Sequence, residues 1–370
     1  MIRILHVIDS LDLGGGQTAL LNLVRFANRS QFHLEVANLH GQGVFRESFE
    51  QLGISVHSLS PHRWPPLYIP RLIRLLKQSH FDIVHCHLNA SNWIGKPIAA
   101  ACGVRIRIAH DQCNDALRSK NPILTLLDAL TNRFSSLILA VSNSTRDFLV
   151  SREDLDPARV ILLPNAVDTE YFRPSDTAVR SEAKRQLGFE PDCFLVAGVG
   201  RLVPQKNYSA FLSTFSLLSQ QRPNSRFVIA GTGPEEAKLR IFAADLGIVN
   251  EGRFLGFLSD THRLYRACDA LLLPSLYEGL PLVALEAMAS GVPVVGSAVD
   301  GLEDLIHSGE NGLLAPTKQP SEFAELLLQL HDSHSERERI AAAARIHIQV
   351  HYDVRLLTQQ LEQLYLKLLA

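Results

Sequence analysis

The sequence lacks most of what would place it outside the cytoplasm or in a membrane. Its five cysteines, at positions 86, 102, 113, 193 and 268, are odd in number and form no C-x-x-C pair. A long chain with scattered cysteines reads as a reduced cytoplasmic enzyme, not a disulfide scaffold. Its longest apolar stretch, Leu280–Val299, carries Glu286 and two prolines, which excludes a membrane span. The first ten residues, MIRILHVIDS, hold an acidic residue too early for a signal peptide and suit a buried first strand. There is no excess of positive charge: the net charge of −2 gives no global signal for nucleic acid. There is also no complete G-x-G-x-x-G fingerprint, and no carboxylate pair spaced for a double-displacement nucleophile.

What is present is length and alternation. At 370 residues the chain exceeds one ordinary core and suggests two domains. Short β-branched runs alternate with helical patterns throughout. Strands are expected at Ile2–Ile8, His33–Asn38, Val56–Leu59, Ile83–His85, Ile106–Ala109, Leu137–Val141 and Val160–Leu163. The second half repeats the scheme at Phe194–Val199, Arg226–Ala230, Gly252–Leu255, Ala270–Leu273, Val292–Val295 and Gly312–Leu314. Continuous apolar strands between helices mean parallel sheets buried on both faces, hence two doubly wound α/β domains. The segment from Pro164 to about Arg185 is rich in turn formers and charge and marks the break. The expected division is 1–168, 169–350, and a terminal amphipathic helix in 351–370 that crosses back onto the first domain. Ligands bind beyond the carboxyl ends of such strands, so two facing domains would share one cleft.

Four segments carry chemistry. The stretch Pro274–Val295 reads PSLYEGLPLVALEAMASGVPVV and holds Glu278 in a loop and Glu286 in the following helix. Pro281 suits the first helical position, which would leave the Leu282 and Val283 amides pointing at an anion. A phosphate site flanked by carboxylates, which accept from vicinal hydroxyls, suggests a sugar nucleotide. The loop Gly198–Asn207 places Arg201 and Lys206 at a strand end, where two cations neutralise a diphosphate and the charge of its departure. Gly231 and Gly233 end the next strand and let backbone approach a flat base. Gly14, Gly15 and Gly16 follow the first strand, where positive φ and close ligand contact are open to them.

Other features are weaker. His110 ends a first-domain strand and would face the cleft. His85-Cys86-His87 invites a metal reading, but alternation sends Cys86 to the opposite face, and no third ligand lies at the usual spacing. Asp154-Leu155-Asp156 precedes a proline in a charged segment and reads as a surface turn. Ile69–Gln78 interleaves Arg71, Arg74 and Lys77 with Leu and Ile; it fits an ordinary surface helix or, with Trp64 and Tyr68 before it, contact with an anionic bilayer. Nine basic and three acidic residues fall between Ser60 and Lys120.

Taken together, these segments resemble a retaining glycosyltransferase of the GT-B fold, in the large family four that builds bacterial cell-surface glycans. The resemblance rests on the E-x7-E pair of Glu278 and Glu286, the GRLVPQKN loop, the PNAVDTEYF linker, the N-terminal glycine loop and RIAHDQ. It implies that Glu286 binds the nucleotide ribose, Glu278 holds donor-sugar hydroxyls, and Arg201 and Lys206 grip the diphosphate with the Leu282 and Val283 amides. It implies further that Gly15 and Gly16 lie near the phosphates and that His110 contacts the sugar beside its anomeric carbon. Two departures stand out: Asn207 where the family usually has glycine, a change that bears on loop shape, and Ala166 where the linker usually reads PNG.

The expected activity is transfer of a hexosyl unit from a nucleotide diphosphate sugar, UDP by frequency and GDP second, to a hydroxyl of a glycan or lipid-linked acceptor with retained configuration. No cofactor and no metal are required, since fixed cations supply the positive potential. The expected location is cytoplasmic, with peripheral contact at the inner membrane face. A sugar-nucleotide 2-epimerase of the same fold and a non-catalytic sugar-binding subunit remain as rival readings.

Overall fold

A computed structural model describes residues 1–61, 67–112, 121–152 and 155–370. Among these residues, thirteen strands form two all-parallel sheets. The first holds β1 (Ile2–Ile8), β2 (Phe32–Asn38), β3 (Ser55–Ser58), β4 (Ile83–His87), β5 (Ile106–Asp111), β6 (Leu137–Ala140) and β7 (Val160–Leu162), in the order β3-β2-β1-β4-β5-β6-β7. The second holds β8 (Phe194–Val199), β9 (Ser225–Ala230), β10 (Gly252–Gly256), β11 (Ala270–Leu273), β12 (Val294–Ser297) and β13 (Leu313–Ala315), in the order β10-β9-β8-β11-β12-β13. Both orders reverse direction once, between β1 and β4 and between β8 and β11. That reversal opens a ligand-binding crevice past the strand ends in doubly wound sheets.

The sequence accounts for this directly. Every residue of β8, FLVAGV, is buried, as a strand covered by helices on both faces must be. Each apolar side chain so buried contributes about 1.5–3 kcal/mol. All thirteen expected strands are present, with ends displaced by at most two residues.

The chain forms two compact units, Met1–Ala166 with Val354–Ala370, and Val167–Asp353. The terminal helix Val354–Leu369 thus belongs to the first unit. It lays Val354, Leu357, Leu361 and Tyr365 into a core with Ile4, Leu20, Val24 and Phe32. Its Glu362 accepts from the Asn28 amide, which fixes its register. No helix among the described residues is long and apolar enough to cross a membrane.

The basic helix expected at Ile69–Gln78 is Tyr68–Ser79. Its Tyr68, Leu72 and Leu76 are buried in the first unit's core, and Ile69 and Leu75 pack against them. The apolar face that a bilayer would take up is therefore spent internally, and only the charged face is exposed. Trp64 lies outside the described residues, as do Cys113, Lys120 and Asp154.

Candidate active site

In the second unit the sequence-selected residues gather at the carboxyl ends of β8, β9 and β11. A short 3-10 turn, Pro204–Lys206, follows β8 and ends at Asn207, whose φ of 52° and ψ of 46° are left-handed. Asparagine is among the few side chains that tolerate this conformation. The departure from glycine therefore keeps the turn. The Gln205 side chain donates to the Tyr277 carbonyl at 3.0 Å, and the Leu276 amide donates to the Gln205 carbonyl at 2.8 Å. These bonds stitch the cationic loop to the loop after β11. Lys206 Nζ then donates to Glu278 Oε1 at 2.5 Å, with both side chains largely buried. The Oε2 of Glu278 makes no hydrogen bond among the described residues. Arg201 is exposed and likewise has no partner among them.

The helix carrying Glu286 runs Leu282–Ala289. Pro281 is its cap, not its first helical residue: its φ of −74° and ψ of 118° are extended. The expected position is corrected by one residue because the proline carbonyl already accepts from the Ala284 amide at 3.0 Å. The Leu282 and Val283 amides still lie in the first turn and have no acceptor among the described residues.

Glu286 is 8% exposed, and its Oε2 accepts from the Thr261 hydroxyl at 2.9 Å and the Tyr265 hydroxyl at 3.1 Å. Burial raises its pKa to about 7, with the two hydroxyls and the charge of Asp260 as smaller influences. Oε1 is left without a hydrogen bond among the described residues. Thr261 and Tyr265 were not legible as site residues, because nothing local in the sequence couples them to a glutamate more than twenty positions on.

Gly231 and Gly233 receive a different explanation. Both Gly200 and Gly231 have φ of 146°. A Cβ on Gly231 would lie 1.8 Å from the Gly200 carbonyl oxygen, and one on Gly233 would lie 2.3 Å from that of Leu202. Packing of one loop against the other demands these glycines, without any ligand.

In the first unit, Gly14 is the extended cap of the helix Gly15–Phe26. None of Gly14, Gly15 and Gly16 uses the positive φ open to it. The space above Gly15 is open, whereas a Cβ on Gly16 would meet Leu88 Cδ2 at 2.8 Å. Leu88 itself is held at φ 70°, a strained conformation of the kind that clusters at functional sites. Beside it the Asp9 carboxylate, at the end of β1, accepts from the Ala90 and Ser91 amides at 3.1 and 2.7 Å.

His110 does not stand alone. Strand register pairs His6 with His85 and His87 with His110, so four imidazoles share one face of β1, β4 and β5. All four are buried. Nδ1 of His6 and Nε2 of His87 share a hydrogen bond at 3.0 Å, and His85 Nδ1 meets the Tyr365 hydroxyl at 2.7 Å. Neither ring nitrogen of His110 makes a hydrogen bond of ordinary geometry among the described residues, although the backbone of Leu163 partly offsets the effect of burial on the ring. Burial lowers all four pKa values, that of His6 to about 3 and that of His110 to about 4, so the rings are neutral at pH 7. No third ligand lies at the usual spacing along the chain, yet the fold brings a third imidazole beside His85 and His87. His6 supplies it, with the three candidate ligand nitrogens within 4.8 Å of one another. It comes from a neighbouring strand, where spacing along the chain cannot find it.

Comparison with known proteins gives the family and the fold. The family model described as Glycosyltransferase Family 4 matches residues 13–171, and that described as Glycosyl transferases group 1 matches residues 179–347. A D-inositol 3-phosphate glycosyltransferase of Frankia alni is 33% identical, over 72% of this chain and 69% of its own. An Escherichia coli enzyme named UDP-Gal:alpha-D-GlcNAc-diphosphoundecaprenol alpha-1,3-galactosyltransferase is 28% identical, over 70% and 69%. Among solved structures, Anabaena HepE in complex with UDP and glucose superposes with a TM-score of 0.88, at 21% identity, covering 98% of this chain and 99% of that one. The fold is GT-B.

Proposed function

Because the chain belongs to the group 1, family-four glycosyltransferases, we propose that it moves a hexosyl unit from a nucleotide diphosphate sugar to a glycan or lipid-linked hydroxyl, retaining the anomeric configuration. That it is a glycosyltransferase acting on nucleotide sugars follows from the family. UDP is the favoured base, supported by the E. coli relative, whose name specifies UDP-Gal, and by the UDP held in the HepE complex. The lipid-linked acceptor is supported by the diphosphoundecaprenol in the same relative's name.

One observation carries the reading: Lys206 held at 2.5 Å from Glu278, on a loop stitched to the loop that leads into the Glu286 helix. In this reading Arg201, Lys206 and the Leu282 and Val283 amides bind the diphosphate and stabilise the charge it gains on departure. Glu278 takes sugar hydroxyls through its free oxygen, and Glu286 takes the ribose through its own. The departing diphosphate helps deprotonate the acceptor, so the protein contributes positioning and charge without a protein nucleophile. Fixed cations serve in place of a metal. In the first unit, His110 stays neutral at pH 7 and can donate or accept one hydrogen bond to a sugar hydroxyl, and the space above Gly15 is open.

Lys206→Ala tests this. Losing one preorganised donor to a developing charge costs about 10²-fold or more in turnover. Folding is checked by the melting temperature, since the substitution also leaves the Glu278 carboxylate buried without its cation. A folded Lys206→Ala protein with wild-type turnover would overturn the assignment, and isomerisation of donor without acceptor would favour the epimerase.

A further inference from the structure

The histidine box holds a ligand set that the transfer reaction leaves unused. His6 lies on β1, and His85 and His87 lie on β4, its neighbour at the centre of the first sheet. Side chains two apart on a strand share a face, so His85 and His87 point the same way, and register sets His6 beside them. All three are buried, with at most 2% of their surfaces exposed. Their candidate ligand nitrogens lie within 4.8 Å of one another, and His6 Nδ1 and His87 Nε2 are already 3.0 Å apart. Two nitrogens on one zinc ion, each about 2.0–2.1 Å from it, stand no more than about 4.2 Å apart, so gathering the trio takes a closure of about 0.6 Å or less.

A second observation points to a ligand. His85 Nδ1 meets the Tyr365 hydroxyl at 2.7 Å, while its Nε2 is buried with no hydrogen bond among the described residues. A buried nitrogen left without a partner is costly to keep. A phenol that accepts from Nδ1–H fixes the tautomer in which Nε2 is bare. Metal-ligating histidines are held in this way, with the second ring nitrogen bonded to an outer partner. The donor set also selects the ion. Neutral imidazoles suit zinc and its late first-row neighbours, whereas magnesium and calcium ask for oxygen donors. No carboxylate belongs to the trio, and the Arg29 guanidinium acts on His6 with like charge. That favours an ion held by strong bonds to imidazole, with water or hydroxide at the open fourth position.

We propose that His6, His85 and His87 bind one zinc ion in the core of the first unit, with Tyr365 of the terminal helix orienting His85. The ion ties β1 to β4 and, through Tyr365, fastens the helix Val354–Leu369 to the sheet. It takes no part in the transfer, whose charge falls to Arg201 and Lys206 in the reading above. The test is the metal content and melting temperature of the purified full chain after dialysis against a chelator, followed by titration with zinc, cobalt or magnesium. One equivalent of zinc should bind and raise the melting temperature by about 5 °C or more at about a hundredfold excess over its Kd. Cobalt should take the same place and give the visible absorption of a four-coordinate ion, which zinc then abolishes; magnesium should do neither. H87Q should lose both the stoichiometric ion and the thermal shift, and Y365F should keep the stoichiometry with affinity lowered about 10–100-fold. If H87Q does not fold, the cobalt spectrum of the wild type and its weakening in Y365F decide. H347Q/H351Q removes a histidine pair one turn apart on the helix His334–His351, with ring centroids 4.9 Å apart, and should change nothing. A wild type that binds no zinc would overturn the proposal, as would zinc that binds without a thermal shift. So would an ion lost from H347Q/H351Q and kept by H87Q.

Discussion

Replacing Glu286 with glutamine should remove a pH dependence of stability that the buried carboxylate imposes. Its folded pKa stands at about 7 against an ordinary 4.5, burial being the main cause. The folded protein therefore keeps a proton that the unfolded chain releases, and stability falls as pH rises from 4.5 to 7 and is flat above. With each tenfold step in proton affinity worth about 1.36 kcal/mol, the full swing is about 3 kcal/mol. Glutamine keeps the shape and still accepts from Thr261 and Tyr265, but it has no charge to desolvate. E286Q should thus match wild type near pH 4 and exceed it by up to about 3 kcal/mol near pH 8. Urea unfolding of both proteins across that range, at equal slope, reads the gap from the midpoints. Donor binding should move the opposite way. Ribose hydroxyls donate to the ionised form, so wild-type affinity rises through pH 7 while that of E286Q is weak and flat. A gap between the two proteins that stays constant with pH would refute the desolvation argument.

Gly231→Ala should lose about 3 kcal/mol or more of stability, because backbone blocks the new Cβ at positive φ; a melting temperature equal to wild type would refute the loop-packing account. Exhaustive dialysis against a chelator should leave transfer within about twofold, as expected when Arg201, Lys206 and the helix start supply the positive potential; a loss of activity restored by a divalent ion would assign that role to a metal.

The parallel sheets were legible because a strand covered on both faces must be apolar throughout, as Phe194–Val199 is. Glu278, Glu286 and Lys206 were legible because one segment and one loop hold them. Three things besides Thr261 and Tyr265 were not. The histidine box depends on register between β1, β4 and β5, and nothing near His6 announces His85 as its neighbour. The glycines at 231 and 233 suggested ligand contact, but the second loop that packs against them is supplied only by the tertiary structure. The leucines of the helix Pro122–Asn132 follow helical spacing, which ordinarily means burial; their exposure becomes visible only once Trp93 and Lys96 have claimed its polar residues Asp128 and Asn132.

The two glutamates of the second unit share one design. Each commits a single oxygen to the protein: Glu278 Oε1 to Lys206, and Glu286 Oε2 to Thr261 and Tyr265. Each leaves its other oxygen uncommitted among the described residues. A carboxylate fixed on one side and open on the other is already oriented, so a hydroxyl arriving at the open oxygen costs little further ordering. The same economy holds for the cations. An ammonium has three hydrogens, and Lys206 spends one on Glu278, so it can take a phosphate oxygen without breaking its pair. Its charge is partly compensated meanwhile, which suits a group that must stabilise charge as it develops. Arg201 is exposed, with no side-chain partner among the described residues, and in the proposed reading its uncompensated charge draws the diphosphate in. On the proposed reading, attraction and transition-state stabilisation fall to different side chains, and the Lys206–Glu278 pair separates them.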